Sequence, residues 1–579
     1  MSLRTRFPRI APAKSEPAAP SGGDADGGPR RARVNVRFVT VLGITLVLIG
    51  AGLTFVASGF ERAATARVAG DNAPVNVGAR TSADISAHNS PTLVSNPRNV
   101  GNLVIANKID SPRFSCAVHT SFDGGVHWSQ TPIPIPVGEE PKCYAPDVAF
   151  AADGTLYLSF VTLKGRANAP NAVWVVSSPD GGQTLSDPIR ARGPLKFQVR
   201  LTADPAAPQR LYMTWLDAEE VGLFRFSSEG NPIRAARSDD GGRTWSGPVT
   251  VNPSARTRAL AATPAVGPNG ELYVLYLDLG EDSLDYEGAH GGRGGAPYDG
   301  SWKLVMARSG DRGATWEESM IEDELVPTER FIAFTPPFPS LAVDRRSGAL
   351  YAAFHDGRRG NADVFVWRLA EGDGRWDPAV RVNDTPRSDK SSQLLPKVSV
   401  APDGRLDVLY YDRRSDPGNR RTEASLQSSY DGARSFLPRL RLSSRPFDSR
   451  IGYGSERGLP DLGNRLGLMS TRERALAVWT DTRGGTSASG KQDLARGLAA
   501  FSPPDDLSGM LKTLLRIAGV LLAVMGIALI LRGNRQRRPE APSGRSPRPP
   551  KASPPARRFE RRPRTPASGV KKVDPQSGD

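Results

Sequence analysis

SDDGGRTW, residues 238–245, is one of five near-copies of a single phrase. The others are SFDGGVHW from residue 121, SPDGGQTL from 178, SGDRGATW from 309 and SYDGARSF from 429. Their aspartates, Asp123, Asp180, Asp240, Asp311 and Asp431, are spaced by 57, 60, 71 and 120 residues, so the last interval spans two repeats. EGDGRWDP, around Asp373, keeps an acid, a glycine and a tryptophan and reads as the worn copy between them. A phrase recurring at this period marks stacked structural units, because a site is needed only once.

Ahead of the phrase stands a second recurring pattern: a proline, alternating apolar residues, a turn, and a further apolar run ending in an acid. PDVAFAADGTLYLSF from Pro146, PAVGPNGELYVLYLD from Pro264, PSLAVDRRSGALYAAFHD from Pro339 and PKVSVAPDGRLDVLYYD from Pro396 show it, with weaker copies from Pro91, near Leu201 and from Pro460. Each reads as two antiparallel strands joined by a tight turn. A third run, such as AVWVVSS or KLVMARS, leads into the phrase, and a fourth, such as PVTVN or AVRVN, follows it. Four antiparallel strands per unit, seven times over, describe an all-β, seven-bladed β-propeller across residues 74–501. Within the phrase, glycine supplies φ > 0, aspartate accepts backbone N–H groups, and tryptophan is expected to fill space beside the next blade.

These residues resemble the Asp-box, or BNR repeat, of the sialidase-like propellers, whose form is SxDxGxTW. Sialidases have six blades, so six is the alternative to the seven counted. The resemblance also implies a hydrolase site made of three arginines on a sugar carboxylate, a tyrosine nucleophile activated by a glutamate, and an aspartate acid/base. In that family an RIP string opens the first blade and carries the first arginine, whereas this chain reads HNSPTLV there and contains no RIP.

The seventh copy lacks a fourth strand. APVNVGARTSADISAHNSPTLV, from Ala73, resembles the passages GPVTVNPSARTRALAATPAV and PAVRVNDTPRSDKSSQLLPKV that lead from a fourth strand into the next blade. Residues 74–78 are therefore expected to complete the last blade, closing the ring and removing a sheet edge. Both chain ends then leave from the face bearing the phrase turns. The opposite face collects the loops between strands two and three and between strands four and one.

The net charge of +15 is confined to two ends rich in Pro, Gly and Ser: residues 1–37 carry +5 and residues 532–579 carry +10, leaving the rest neutral. Such ends read as disordered tails. Each adjoins an apolar run: residues 38–57 are long enough to cross a bilayer, and residues 511–531 reach that length when Lys512 and Arg516 snorkel from the first turns. A signal peptide cleaved near Ala57-Ser58-Gly59 is the other reading of the first run. Flanking Lys/Arg place both termini in the cytoplasm and the propeller outside, with residues 58–73 as a linker, at a cell membrane. The basic tails then suit anionic lipid headgroups, and no nucleic-acid partner is expected. The two cysteines, Cys116 and Cys143, fall outside the membrane and are expected to form a disulfide, with two buried thiols as the other reading.

The outward face gathers an acid followed by arginine at the ends of second strands: Asp356, Arg358 and Arg359; Asp412, Arg413 and Arg414; Asp481 and Arg483; Asp217 and Asp278 stand there without the arginine. Arg258, Arg358, Arg413, Arg450 and Arg483 are candidate ligand-binding residues, suited to bidentate recognition of carboxylate or sulfate. The competing reading is that each locks its own loop. FDSRIGYGSERG adds Tyr453, Glu456 and Arg457, and with Asp356 as acid/base the first two form a candidate catalytic set for retaining glycoside chemistry. The long loop 278–300 holds Glu281, Asp282, Asp285 and Glu287, which as oxygen ligands suit Ca²⁺, although it matches no EF-hand spacing and reads equally as a polar flap. No metal site of histidines is expected from His88, His290 and His355, and no phosphate loop or nucleophile elbow occurs. The sequence supports a membrane-anchored extracytoplasmic module that binds a glycan, another ligand or a protein partner, with an exo-sialidase-type hydrolase as the alternative.

Overall fold

The computed structural model describes residues 35–59, 64–220, 228–284, 298–328, 337–452, 461–504 and 509–536. They fall into two compact units, Glu61–Asp506 and the two helices with their flanking ends. The first unit holds seven antiparallel sheets, six of them laid out in strict chain order from the innermost strand outward. It is a seven-bladed propeller, and the alternative count of six is set aside.

The innermost strands of the seven blades are His88–Asn96, Cys143–Phe150, Lys196–Ala203, Ala259–Val266, Ser340–Val343, Gln393–Val400 and Gly467–Ser470. Five of them bulge at the same place, where Ser90, Ala145, Gln198, Ala261 and Leu395 take φ of 55°, 49°, 51°, 60° and 54°. A bulge re-aims the residues beside it. Two positions on, the register sets one residue per blade at a common level: Thr92, Asp147, Arg200, Thr263, Ser340, Lys397 and Gly467. These residues ring the central channel.

The recurrent turn has one geometry in every copy. In SDDGGRTW the Ser238 hydroxyl donates to Asp240 Oδ1 (2.8 Å) and accepts from Gly242 N (2.8 Å), while Asp240 accepts from the backbone and hydroxyl of Thr244 (2.9 and 2.6 Å). Trp245 Nε1 donates to Gly242 O (3.1 Å). A Cβ on Gly242, at φ +85°, would stand 3.0 Å from Val175 of blade two, so the turn of blade three leans on the preceding blade. Gly125 likewise meets Leu476 of blade seven, and Trp376 of EGDGRWDP reaches back to Ser319 of blade four. The expectation that the tryptophan fills space beside the next blade is thus corrected.

Blade seven closes the ring. Ala73 and Pro74 pair with Arg496 and Ala495, and Val75 N donates to Leu494 O (2.8 Å). The Asn76 side chain extends this ladder, accepting from Leu494 N as Asn252 accepts from Ile233 N and Asn383 from Val364 N. The ladder also starts earlier than expected: Thr65–Val68, inside the stretch 58–73 read as linker, pairs with Ser502 to Ala499. Ala66 stands opposite Phe501 and packs against its core cluster, and pairing hides an otherwise open sheet edge.

Cys116, on the third strand of blade one, and Cys143, opening blade two, form a disulfide with their Cα atoms 5.7 Å apart. In the other unit, α1 (Val36–Gly59) and α2 (Gly509–Arg535) are each long and apolar enough to cross a membrane. They meet along buried small residues spaced by seven, Gly43, Gly50 and Ala57 on α1 against Gly519, Gly526 and Gly533 on α2. A Cβ at Gly526 would stand 2.5 Å from Gly43 O, a backbone approach that only glycine permits.

Candidate functional site

The acids ending the second strands act first on their own backbone. Asp356, Asp412 and Asp481 accept the N–H of the residue two positions on, at 2.6, 3.0 and 2.9 Å, and so cap the turn. The same carboxylates hold the arginine at that position: Arg358 Nη2 lies 2.6 Å from Asp356 Oδ2, Arg414 Nε 2.7 Å from Asp412 Oδ2, and Arg483 Nε 2.8 Å from Asp481 Oδ2. Arg414, not Arg413, is therefore the counterpart of Arg358 and Arg483. Arg413 is buried, and its guanidinium staples the loop through Asn419 O (2.6 Å), Thr422 Oγ1 (3.2 Å) and Ser449 Oγ (2.8 Å). Where a second strand lacks its own arginine, another cation supplies the charge: Arg256 bridges Asp278 and Glu318, both at 3.0 Å, and Asp217 is met by Lys196.

The remaining candidates are equally engaged. Arg258 donates to Gly280 O (3.0 Å) and pairs with Glu229 (3.3 Å), and Arg450, half-exposed, pairs with Asp448 (2.6 Å). Asp356 has no accessible surface, so it does not serve as an acid/base to an outside sugar, and we correct that expectation. Tyr453, Glu456 and Arg457, like Asp285, Glu287 and His290 of the 278–300 loop, lie outside the described residues. Of that loop's other acids, Asp282 accepts from Leu284 N (2.9 Å) and Trp302 Nε1 (3.0 Å), and Glu281 stands 4.0 Å from Arg258. Among the described residues no cluster of three or more potential metal ligands occurs.

A second constellation, which the motifs did not reveal, sits where blades one, two and seven meet, at the end of the channel opposite the phrase turns. Lys108, near the end of the second strand of blade one, lies 2.8 Å from Asp110 and 3.0 Å from Asp461, on the loop entering blade seven. Asn89 donates to Asp110 (2.8 Å) and Gln492 (3.3 Å), and Gln492 in turn donates to the backbone of Ile451 (3.0 Å) and Asp461 (2.8 Å). Burial opposes the charge on Lys108, but Asp110 and Asp461 outweigh it and hold the ammonium above its ordinary pKa. Burial pushes the Asp461 carboxyl up, against the pull of Lys108. Beside them stands Tyr144, partly exposed, with its phenol raised chiefly by burial and its hydroxyl without a hydrogen-bond partner among the described residues.

Behind this mouth, the interior of blade one holds two neutral imidazoles bridged by Asn107, at 3.1 Å from His88 Nδ1 and 3.1 Å from His119 Nε2. Burial drives their pKa values down to about 4 and about 3. Among the described residues, the polar side chains of the mouth named here other than Tyr144 are tied to protein, which holds them rigid. A fixed set of carboxylate, amide and ammonium groups around an aromatic ring can offer donors and acceptors to a polyhydroxylated ligand.

No family model and no curated protein matches the chain. Among solved structures it is similar to a protein of unknown function from Dyadobacter fermentans, at 13% identity and a TM-score of 0.42, covering 76% of this chain and 99% of that one. It is also similar to the Hadza microbial sialidase Hz136, at 14% identity and a TM-score of 0.39, covering 69% and 74%. A third similar structure is the α-L-arabinanase of Penicillium chrysogenum, at 12% identity and a TM-score of 0.37, covering 63% and 95%.

Proposed function

We propose that the chain is a membrane-anchored binding module whose propeller stands on the extracytoplasmic side and takes a glycan-class ligand at the outward mouth of its channel. The observation that carries this reading is the unpartnered Tyr144 hydroxyl beside the fixed Lys108–Asp110–Asp461 cluster. Binding is favoured over sialidase chemistry because Arg258, Arg358 and Arg483 are each committed to an acid, and the first-blade arginine of the family is missing. In this reading α1 and α2 span the membrane and leave both basic tails in the cytoplasm.

The test is glycan-array binding by the full-length chain in lipid nanodiscs. Tyr144→Ala and Lys108→Met are expected to lower affinity at least about tenfold, the scale of one or two lost hydrogen bonds in a desolvated pocket. Tyr453→Phe is expected to leave binding intact. Release of sialic acid from a fluorogenic substrate, abolished by Tyr453→Phe, would instead establish the hydrolase. The topology is read by labelling a cysteine placed at Asn269 with a membrane-impermeant maleimide on intact cells, where no labelling defeats it.

A further inference from the structure

Below the mouth, the seven ring residues differ sharply in charge. Thr92, Thr263, Ser340 and Gly467 are uncharged, Asp147 is the one acid, and Arg200 and Lys397 are cations. Arg465 enters the same cavity from blade seven. Asp147 is fully used: Oδ1 accepts from Thr92 (2.8 Å), and Oδ2 accepts from Leu201 N (2.9 Å) and pairs with Arg200 Nε (3.1 Å). Its direct ion pair is with Arg200, and its single negative charge faces three cations, Arg200, Lys397 and Arg465. Arg465 spends Nε and Nη2 on two backbone carbonyls, Ser90 O (3.1 Å) and Pro146 O (2.7 Å), and meets no carboxylate. Among the described residues Lys397 has neither a hydrogen bond nor an ion pair.

Two uncompensated positive charges in a narrow channel are costly unless something negative joins them. The space is present: the cavity they line measures ≈ 30 Å³, against the ~10–15 Å³ that one water needs. Ser340, whose hydroxyl accepts from Val398 N (3.0 Å), keeps its own proton to donate into that space. We propose that the central channel is a built site for one small free anion, a halide or an oxyanion, held by Lys397, Arg465 and Arg200. Burial first, then Arg200, push the Lys397 ammonium down to about 8; Asp147 pulls the other way and Arg465 adds a smaller push.

The test uses the full-length chain in detergent at pH 7 and constant ionic strength, comparing sodium gluconate with sodium bromide and sodium sulfate. Bromide or sulfate is expected to raise the melting temperature saturably, and the rise is expected to fade above about pH 8 as Lys397 loses its proton. Lys397→Met is expected to be the more stable protein in gluconate and to lose the anion-dependent rise. Lys397→Gln serves if the methionine variant misfolds. In crystals grown with bromide, an anomalous peak is expected between Lys397, Arg465 and Ser340. Equal rises in wild type and in either variant, or no peak in wild-type crystals, would overturn the site.

Discussion

At the scale of the residue, Ser238 shows how much a turn asks of one small side chain. The residue is 1% exposed and its hydroxyl joins Asp240 to Gly242 N, so Ser238→Ala strands a buried N–H as well as removing a bond. We expect a loss of about 1–3 kcal/mol, measured by urea denaturation. The aspartate beside it owes its state to the same bonds: in the equivalent turn of blade four, the hydroxyl and backbone of Thr315 and the hydroxyl of Ser309 hold Asp311 down at about 2. This chemistry was legible in the sequence because all its atoms lie within eight consecutive residues. The arginine pairs were legible only by half. Adjacent Arg413 and Arg414 look interchangeable in the string, but the cap formed by Asp412 reaches two positions on, which makes Arg414 its partner and turns Arg413 inward.

At the scale of the element, neighbouring blades are joined by side-chain packing and, in one place, covalently. The Cys116–Cys143 bond spans 27 residues and fastens blade one to blade two. Replacing both cysteines with serine is expected to cost about 3.5 kcal/mol, the chain-entropy value for a loop of this length, and to lower the calorimetric melting temperature. The completing strand of blade seven could be anticipated because PVNV shares its asparagine-ended pattern with VTVN and VRVN, and those asparagines make equivalent bonds. The channel mouth could not. Lys108, Tyr144 and Asp461 come from three blades far apart in the chain, and no local periodicity announces which side chains the bulges turn toward one another.

For the whole molecule, the buried imidazoles set a pH limit. His88, His119 and His355 have pKa values depressed to about 4, about 3 and about 4, in each case first by burial. Between pH 6.5 and 4 the unfolded chain takes up protons on these rings that the folded chain refuses, so stability falls as pH drops. Each contributes about 1.4 kcal/mol per pH unit of that window. Asp493, raised to about 6 by burial, works in the opposite sense below that pH and offsets one of the three. The expected outcome is a melting temperature that declines from pH 6.5 to 4, with His119→Asn flattening the slope. The pairing of Thr65 with Ser502 bears on how the disc answers to load. Because entry and exit are neighbours in one antiparallel ladder, traction moving both together passes through a single pair and leaves the ring slack. Tension that parts them must instead peel that ladder one rung at a time, starting from its outermost hydrogen bonds.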